Sequence, residues 1–165
     1  MVGKIGAFTV YDLEYFGGDE PAPFLRSVLV ETARNRLHEI HLWEILSGGE
    51  LYPSEILHAG KQPILAVRSY EGNMYYIVDE EYFIISADGV LLLDFEPVME
   101  AAGAVIPADR STHPGAWEYD FQSMVFQAQT EPNLTGLVCC DGHVEVPFRI
   151  EQGRVIAGKA TYFPK

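Results

Sequence analysis

From Pro63 to Lys165, short apolar runs rich in β-branched and aromatic residues alternate with turn signals. The runs Ile64–Val67, Met74–Val78, Tyr82–Ile85 and Val90–Phe95 are separated by Gly72-Asn73, Asp79-Glu80-Glu81 and Asp88-Gly89. Residues of this kind suit a pleated, half-buried surface. Asp-Gly between two apolar runs is the strongest short-range hairpin signal a sequence carries. The pair recurs at Asp141-Gly142, between Leu137–Cys140 and His143–Phe148, and Gln152-Gly153 predicts a further hairpin leading into a last strand, Val155–Phe163. Connections this short join antiparallel neighbours, because a parallel pair needs a long crossover.

The residues before Pro63 follow a different pattern. Ile5–Tyr11 reads as a first strand, with a turn region at Gly17, Gly18 and Asp19. Asp19, Pro21 and Pro23 have the composition of a helix start. Leu25, Val28, Leu29, Ala33, Leu37 and Ile40 then recur at steps of three and four, with Arg26, Glu31, Arg34 and Glu39 between them. That spacing predicts an amphipathic helix with one buried stripe, ending before Ser47-Gly48-Gly49. Ile40–Leu46 also carries a competing strand reading. Between the two β blocks, Pro97–Trp117 is interrupted by Gly and Pro, with one helical turn at Val98–Ala102.

The expected fold is therefore α+β: an N-terminal amphipathic helix packed on a twisted, mostly antiparallel β-sheet of about six to eight strands. The 165 residues show no repeat and no dividing linker, so residues 1–165 are expected to form a single globular domain.

Charge narrows the partners. The chain holds 24 acidic and 11 basic residues, a formal net charge of −13. Nucleic acid and anionic membranes are recognised through clustered Lys and Arg, so neither is an expected partner. No segment has the length of an apolar membrane span or the pattern of a secretory signal. The only two cysteines, Cys139 and Cys140, are adjacent. Neighbours on a strand point to opposite faces, so no disulfide is expected between them and the expected location is cytoplasmic. Asn133-Leu134-Thr135 fits the glycosylation acceptor pattern but reads here as a loop signal only.

No phosphate-cradling, dinucleotide, zincin or nucleophile-elbow motif is present, so no enzyme activity and no cofactor are expected. On a helix, His38, His41 and Glu44 would share a face, yet two histidines at this spacing arise often by chance and read as solvated polar residues. Cys140 and His143 flank Asp141-Gly142, where a thiol beside an imidazole would be activated. Without a cleft or oxyanion donors, the pair reads as a small hydrophobe and a surface histidine. The segment Asp109–Gly115, followed by Trp117, Glu118 and Asp120, is the densest polar loop. It offers His113 as acid or base and Arg110 as a fixed cation beside Asp109, which makes it the alternative site, of a small enzyme or ligand-binding domain.

The acidic residues are unevenly placed. Residues 61–120 carry eleven acids and three bases, against nine and four in residues 1–60 and four and four in residues 121–165. No Lys or Arg lies between Arg68 and Arg110, where Tyr70, Tyr75, Tyr76, Tyr82 and Phe95 are interleaved with carboxylates. A field of one sign with aromatic anchors suits docking of a basic protein. The expected partner-binding residues are Glu71, Asp79, Glu80, Glu81, Tyr82, Asp88, Asp94 and Glu96, with Asp79-Glu80-Glu81 forming an exposed turn. The expected function is capture and neutralisation of a basic protein, as by an immunity-type inhibitor of a toxin nuclease.

Overall fold

The computed structural model of the chain describes residues 3–5, 8–16, 24–31, 37–45, 54–70, 77–86, 89–133 and 140–165. It divides into two compact units, Met1–Leu92 and Leu93–Lys165.

The first unit is built of two antiparallel sheets. Strands β1 (Gly3–Ile5), β2 (Phe8–Phe16), β3 (Phe24–Glu31) and β4 (Leu37–Ile45) pair in chain order. So do β5 (Glu55–Ala59), β6 (Gln62–Tyr70), β7 (Ile77–Ser86) and β8 (Gly89–Leu92). Val10, Val28 and Val30 of the first sheet share a core with Leu65, Val67, Phe83 and Ile85 of the second. The Ser54 N–H and hydroxyl, just before β5, both donate to Asp12 Oδ2 on β2, at 3.0 and 2.9 Å. Ile64, Leu65, Ala66 and Val67 are all buried, so both faces of β6 are covered. That is why the strand reads as a continuous apolar run instead of an alternating one.

The α+β expectation is overturned here: the fold is mostly β, and among the described residues no N-terminal helix packs on a sheet. Leu25–Ile40 is the β3–β4 region. Val28 and Val30 are buried while Leu29 between them is half-buried, a period of two inside the apparent helical stripe. Both valines are β-branched and pack best on a pleated surface. Pairing of β3 with β2 from Thr9↔Glu31 to Phe16↔Phe24 overrides the local helical spacing. Leu37, on the expected buried stripe, is 61% exposed.

A second correction concerns Asp79-Glu80-Glu81. These residues form no turn; they lie within β7, opposite Ser69, Arg68 and Val67 of β6. The Gly72-Asn73 turn lies outside the described residues. β7 pairs with β8 up to Ser86↔Gly89, with Gly89 at φ +143°, and Ala87 and Asp88 between them lie outside the described residues.

The second unit starts with the one helix among the described residues, α1 (Glu96–Gly103). Its N-terminal end carries Glu96 and Pro97, and the Glu96 N–H donates to Asp94 Oδ1 at 2.9 Å. Val98 and Ala102 are its buried residues, and it packs on β11 (Gly142–Glu151) and β12 (Arg154–Ala157). Strands β9 (Arg110–Asp120), β10 (Val125–Pro132) and β11 form an antiparallel ladder. The first half of β11 also pairs with β13 (Thr161–Pro164), and its second half with β12. Phe126, Ala128, Val144, Val146 and Phe148 are buried on alternate positions. Phe95, Tyr119, Phe126 and Phe148 pack ring against ring there, with Phe95–Tyr119 centroids 4.3 Å apart and Tyr119–Phe126 4.8 Å apart. The Gln152-Gly153 turn joins β11 to β12 as expected, with φ of 51° and 77° at its two residues.

Asp141-Gly142 differs from the expectation. Gly142 sits inside the ladder, opposite Thr130 of β10 and Pro164 of β13. A Cβ there would lie 2.6 Å from the Tyr162 hydroxyl and 2.8 Å from the Phe163 carbonyl oxygen. The glycine serves close approach of strands, not a reversing turn. Among the described residues, no helix is long and apolar enough to cross a membrane.

Candidate ligand groove

Strict alternation in β10 and β11 builds the site. Phe126, Ala128, Val144 and Val146 turn into the core, which leaves Gln127, Gln129, His143 and Glu145 on the opposite face. Register aligns these residues into two neighbouring rungs, since residues directly opposite in an antiparallel pair share a face. One rung runs Glu118–Gln127–Glu145–Thr161 across β9, β10, β11 and β13. The next runs Gln129–His143–Phe163. All of these but Thr161 line a groove with a cavity volume of about 820 Å³, to which Trp117, Cys140 and Lys165 also contribute.

The side chains engage one another within and between rungs. Gln127 Nε2 donates to Glu145 Oε1 at 3.1 Å, and His143 Nε2 stands 3.5 Å from the same oxygen. The His143 ring stacks on Phe163 with centroids 4.7 Å apart and planes 12° from parallel. The groove's lysine is turned to its end, where Lys165 Nζ donates to the Cys140 carbonyl at 3.2 Å. Among the described residues, Glu118 and Glu145 have no Lys or Arg as an ion-pair partner.

Beside this groove the β9–β10 ladder is interrupted. Trp117 faces Ala128 and Thr112 faces Thr130, so His113, Pro114, Gly115 and Ala116 stand against Gln129 alone. Pro114 has no N–H to give a ladder, and bulges of this kind concentrate beside binding sites.

Of the alternative site, Asp109 is exposed, but Arg110 and His113 belong to β9 instead of a loop. Arg110 is ion-paired to Asp141, and this hydrogen bond holds its guanidinium pKa above the ordinary value despite partial burial. His113 Nδ1 lies 2.6 Å from Glu131 Oε2. The guanidinium and the imidazole thus face separate carboxylates and do not converge.

The residues expected from acidic clustering fall partly outside the described residues and otherwise on both units. Glu71 and Asp88 lie outside the described residues. Asp79, Glu80 and Glu81 are on β7, and Tyr82 is only 2% exposed, so its ring is core and no surface anchor. Its phenol is opposite Ala66 in a strand buried on both faces, a setting that the expected turn concealed. Asp94 and Glu96 are exposed but belong to the second unit, at the start of α1. His38, His41 and Glu44 fall on β4, where helical spacing no longer applies. Among the described residues no group of three or more His, Cys, Asp or Glu is placed to hold a metal.

Cys140 is disulfide-bonded, and the one other cysteine in the sequence is Cys139. Cys140 lies outside any strand, at φ 116°, and Cys139 lies outside the described residues. With no free thiol at Cys140, the Cys140–His143 nucleophile reading falls as well.

Sequence reasoning missed Gln127, Gln129, Glu145 and Phe163. Alternation in Val125–Thr130 and His143–Val146 was the available signal, but it marks only a solvated face until register joins the strands. In comparisons with known proteins, the chain matches no family model, no curated protein and no solved structure.

Proposed function

We propose that this protein is a binding module that captures a basic protein, and that the groove on β9, β10, β11 and β13 is where the partner's cationic segment docks. The observation that carries this reading is the rung Glu118–Gln127–Glu145, whose two carboxylates line a groove without an ion-paired Lys or Arg among the described residues. A chain of net charge −13 adds a long-range field that draws a basic partner in. Rim carboxylates of this kind act mainly on association rate and choice of partner. A toxin nuclease, whose nucleic-acid face is itself cationic, is the partner class that this charge suits. The role is inhibition by occupancy, without catalysis or cofactor.

Fluorescence anisotropy with labelled octalysine tests the reading. The parent should bind at low ionic strength, with affinity falling as salt rises. Glu118→Lys with Glu145→Lys should weaken binding at least tenfold, about 1.4 kcal/mol. Reversing Glu96 and Glu151, exposed and outside the groove, changes net charge equally and should cost less than threefold. Equal losses in the two double variants would show a diffuse charge effect and sink the groove as the docking site.

A further inference from the structure

The groove holds more than negative charge, and its second rung bears on which cation it takes. Resting on the capture reading above, we infer that the groove recognises the guanidinium group of arginine in its partner, in preference to the ammonium group of lysine. Glu145 and His143 are two residues apart on β11 and share a face, which separates their Cα atoms by about 7 Å. A carboxylate therefore stands one rung from a flat, partly exposed pair of rings, His143 on Phe163. The carboxylate is held in place through Oε1 by the Gln127 amide at 3.1 Å, and His143 Nε2 stands 3.5 Å from the same oxygen. Oε2 takes no bond from the described residues and is left to accept from a ligand.

A guanidinium is planar, carries donors along its edge and stacks on aromatic faces. It can lie against the ring pair while its edge reaches the Glu145 carboxylate. An ammonium can satisfy the carboxylate but has no face to lay on a ring and is more strongly hydrated. Gln127 and Gln129 add amide oxygens that accept further N–H groups. The acidic residues would draw either cation; the ring pair is what distinguishes them.

Octaarginine and octalysine of identical label and ionic strength provide the test, measured against the parent, Phe163→Leu and Glu145→Gln. Phe163 is exposed on the short strand β13, and leucine keeps an apolar residue there. The parent should bind octaarginine at least fivefold more tightly than octalysine. Phe163→Leu should reduce that ratio to below twofold. Glu145→Gln should weaken both peptides. A preference that survives intact in Phe163→Leu belongs to arginine in general and overturns the inference. Equal parental affinity for both peptides overturns it too, with the capture reading still standing. Failure of both peptides to respond to the Glu118→Lys and Glu145→Lys pair overturns the capture reading itself.

Discussion

Gly142→Ala isolates the packing that places β13 beside the groove. A Cβ at this position would stand 2.6 Å from the Tyr162 hydroxyl, 2.8 Å from the Phe163 carbonyl oxygen and 3.1 Å from Thr130 Oγ1. Two of these contacts are closer than real Cβ atoms tolerate. The tyrosine hydroxyl can withdraw only by moving a ring on the terminal strand. The Phe163 carbonyl is backbone, and relieving it means lifting β13 away from the pairs Gly142↔Pro164 and His143↔Phe163. Overpacking typically costs about 1–3 kcal/mol, and each ladder hydrogen bond lost adds about 1 kcal/mol. The expected loss is therefore about 2–4 kcal/mol in equilibrium urea unfolding. Adding Tyr162→Phe removes the nearest atom but not the backbone oxygen, so it should restore only part of the loss. Gly103→Ala, with nothing within 4 Å of its Cβ, is the control and should be neutral or slightly stabilising. A Gly142→Ala protein within about 0.5 kcal/mol of the parent would show that the close approach of β13 is misdescribed.

Phe126 is fully buried in the second unit, so Phe126→Ala should cost about 3–5 kcal/mol in the same assay. Leu37→Ala, at an exposed position of β4, should stay within about 0.5 kcal/mol, which a buried helical stripe would not allow. Asp120 is held below the usual carboxylate range, first by the Ser123 hydroxyl and then by the Gln122 and Ser123 N–H groups. The unfolded chain therefore takes up that proton first, and the stability contributed by ionised Asp120 is full above about pH 5 and lost as pH falls through its folded pKa. Asp120→Asn should flatten the acid limb of a stability–pH profile, and an unchanged limb would mean that these bonds do not favour the charged form.

What was legible in the sequence follows from which physical signals are local. Gly89 and Gly153 both need positive φ, a demand that a dipeptide next to apolar runs announces, and in both places the flanking strands pair. Gly142 has the same Asp-Gly signature but is glycine for lack of space against Tyr162 and Phe163, residues twenty positions on. Nothing local distinguishes the two uses. The stripe from Leu25 to Ile40 fits a helical period and, at Val28 and Val30, a strand period as well; partners β2 and β4 decide between them. Three acids in a row at Asp79–Glu81 read as a turn because charge is rare within strands, yet pairing with β6 carries the strand through them. The groove was the least legible feature. Its members come from four strands, and only the register Gln127↔Glu145 and Gln129↔His143↔Phe163 brings them together.

The most direct test of the groove as the docking surface is an amide chemical-shift titration of the ¹⁵N-labelled protein with octaarginine at low salt. Saturable shifts are expected at Glu118, Gln127, Gln129, His143, Glu145 and Phe163, with α1 and the β11–β12 hairpin unmoved. Shifts centred on Glu80 and Glu81 of β7, or spread evenly over the acidic residues of both units, would contradict docking in the groove.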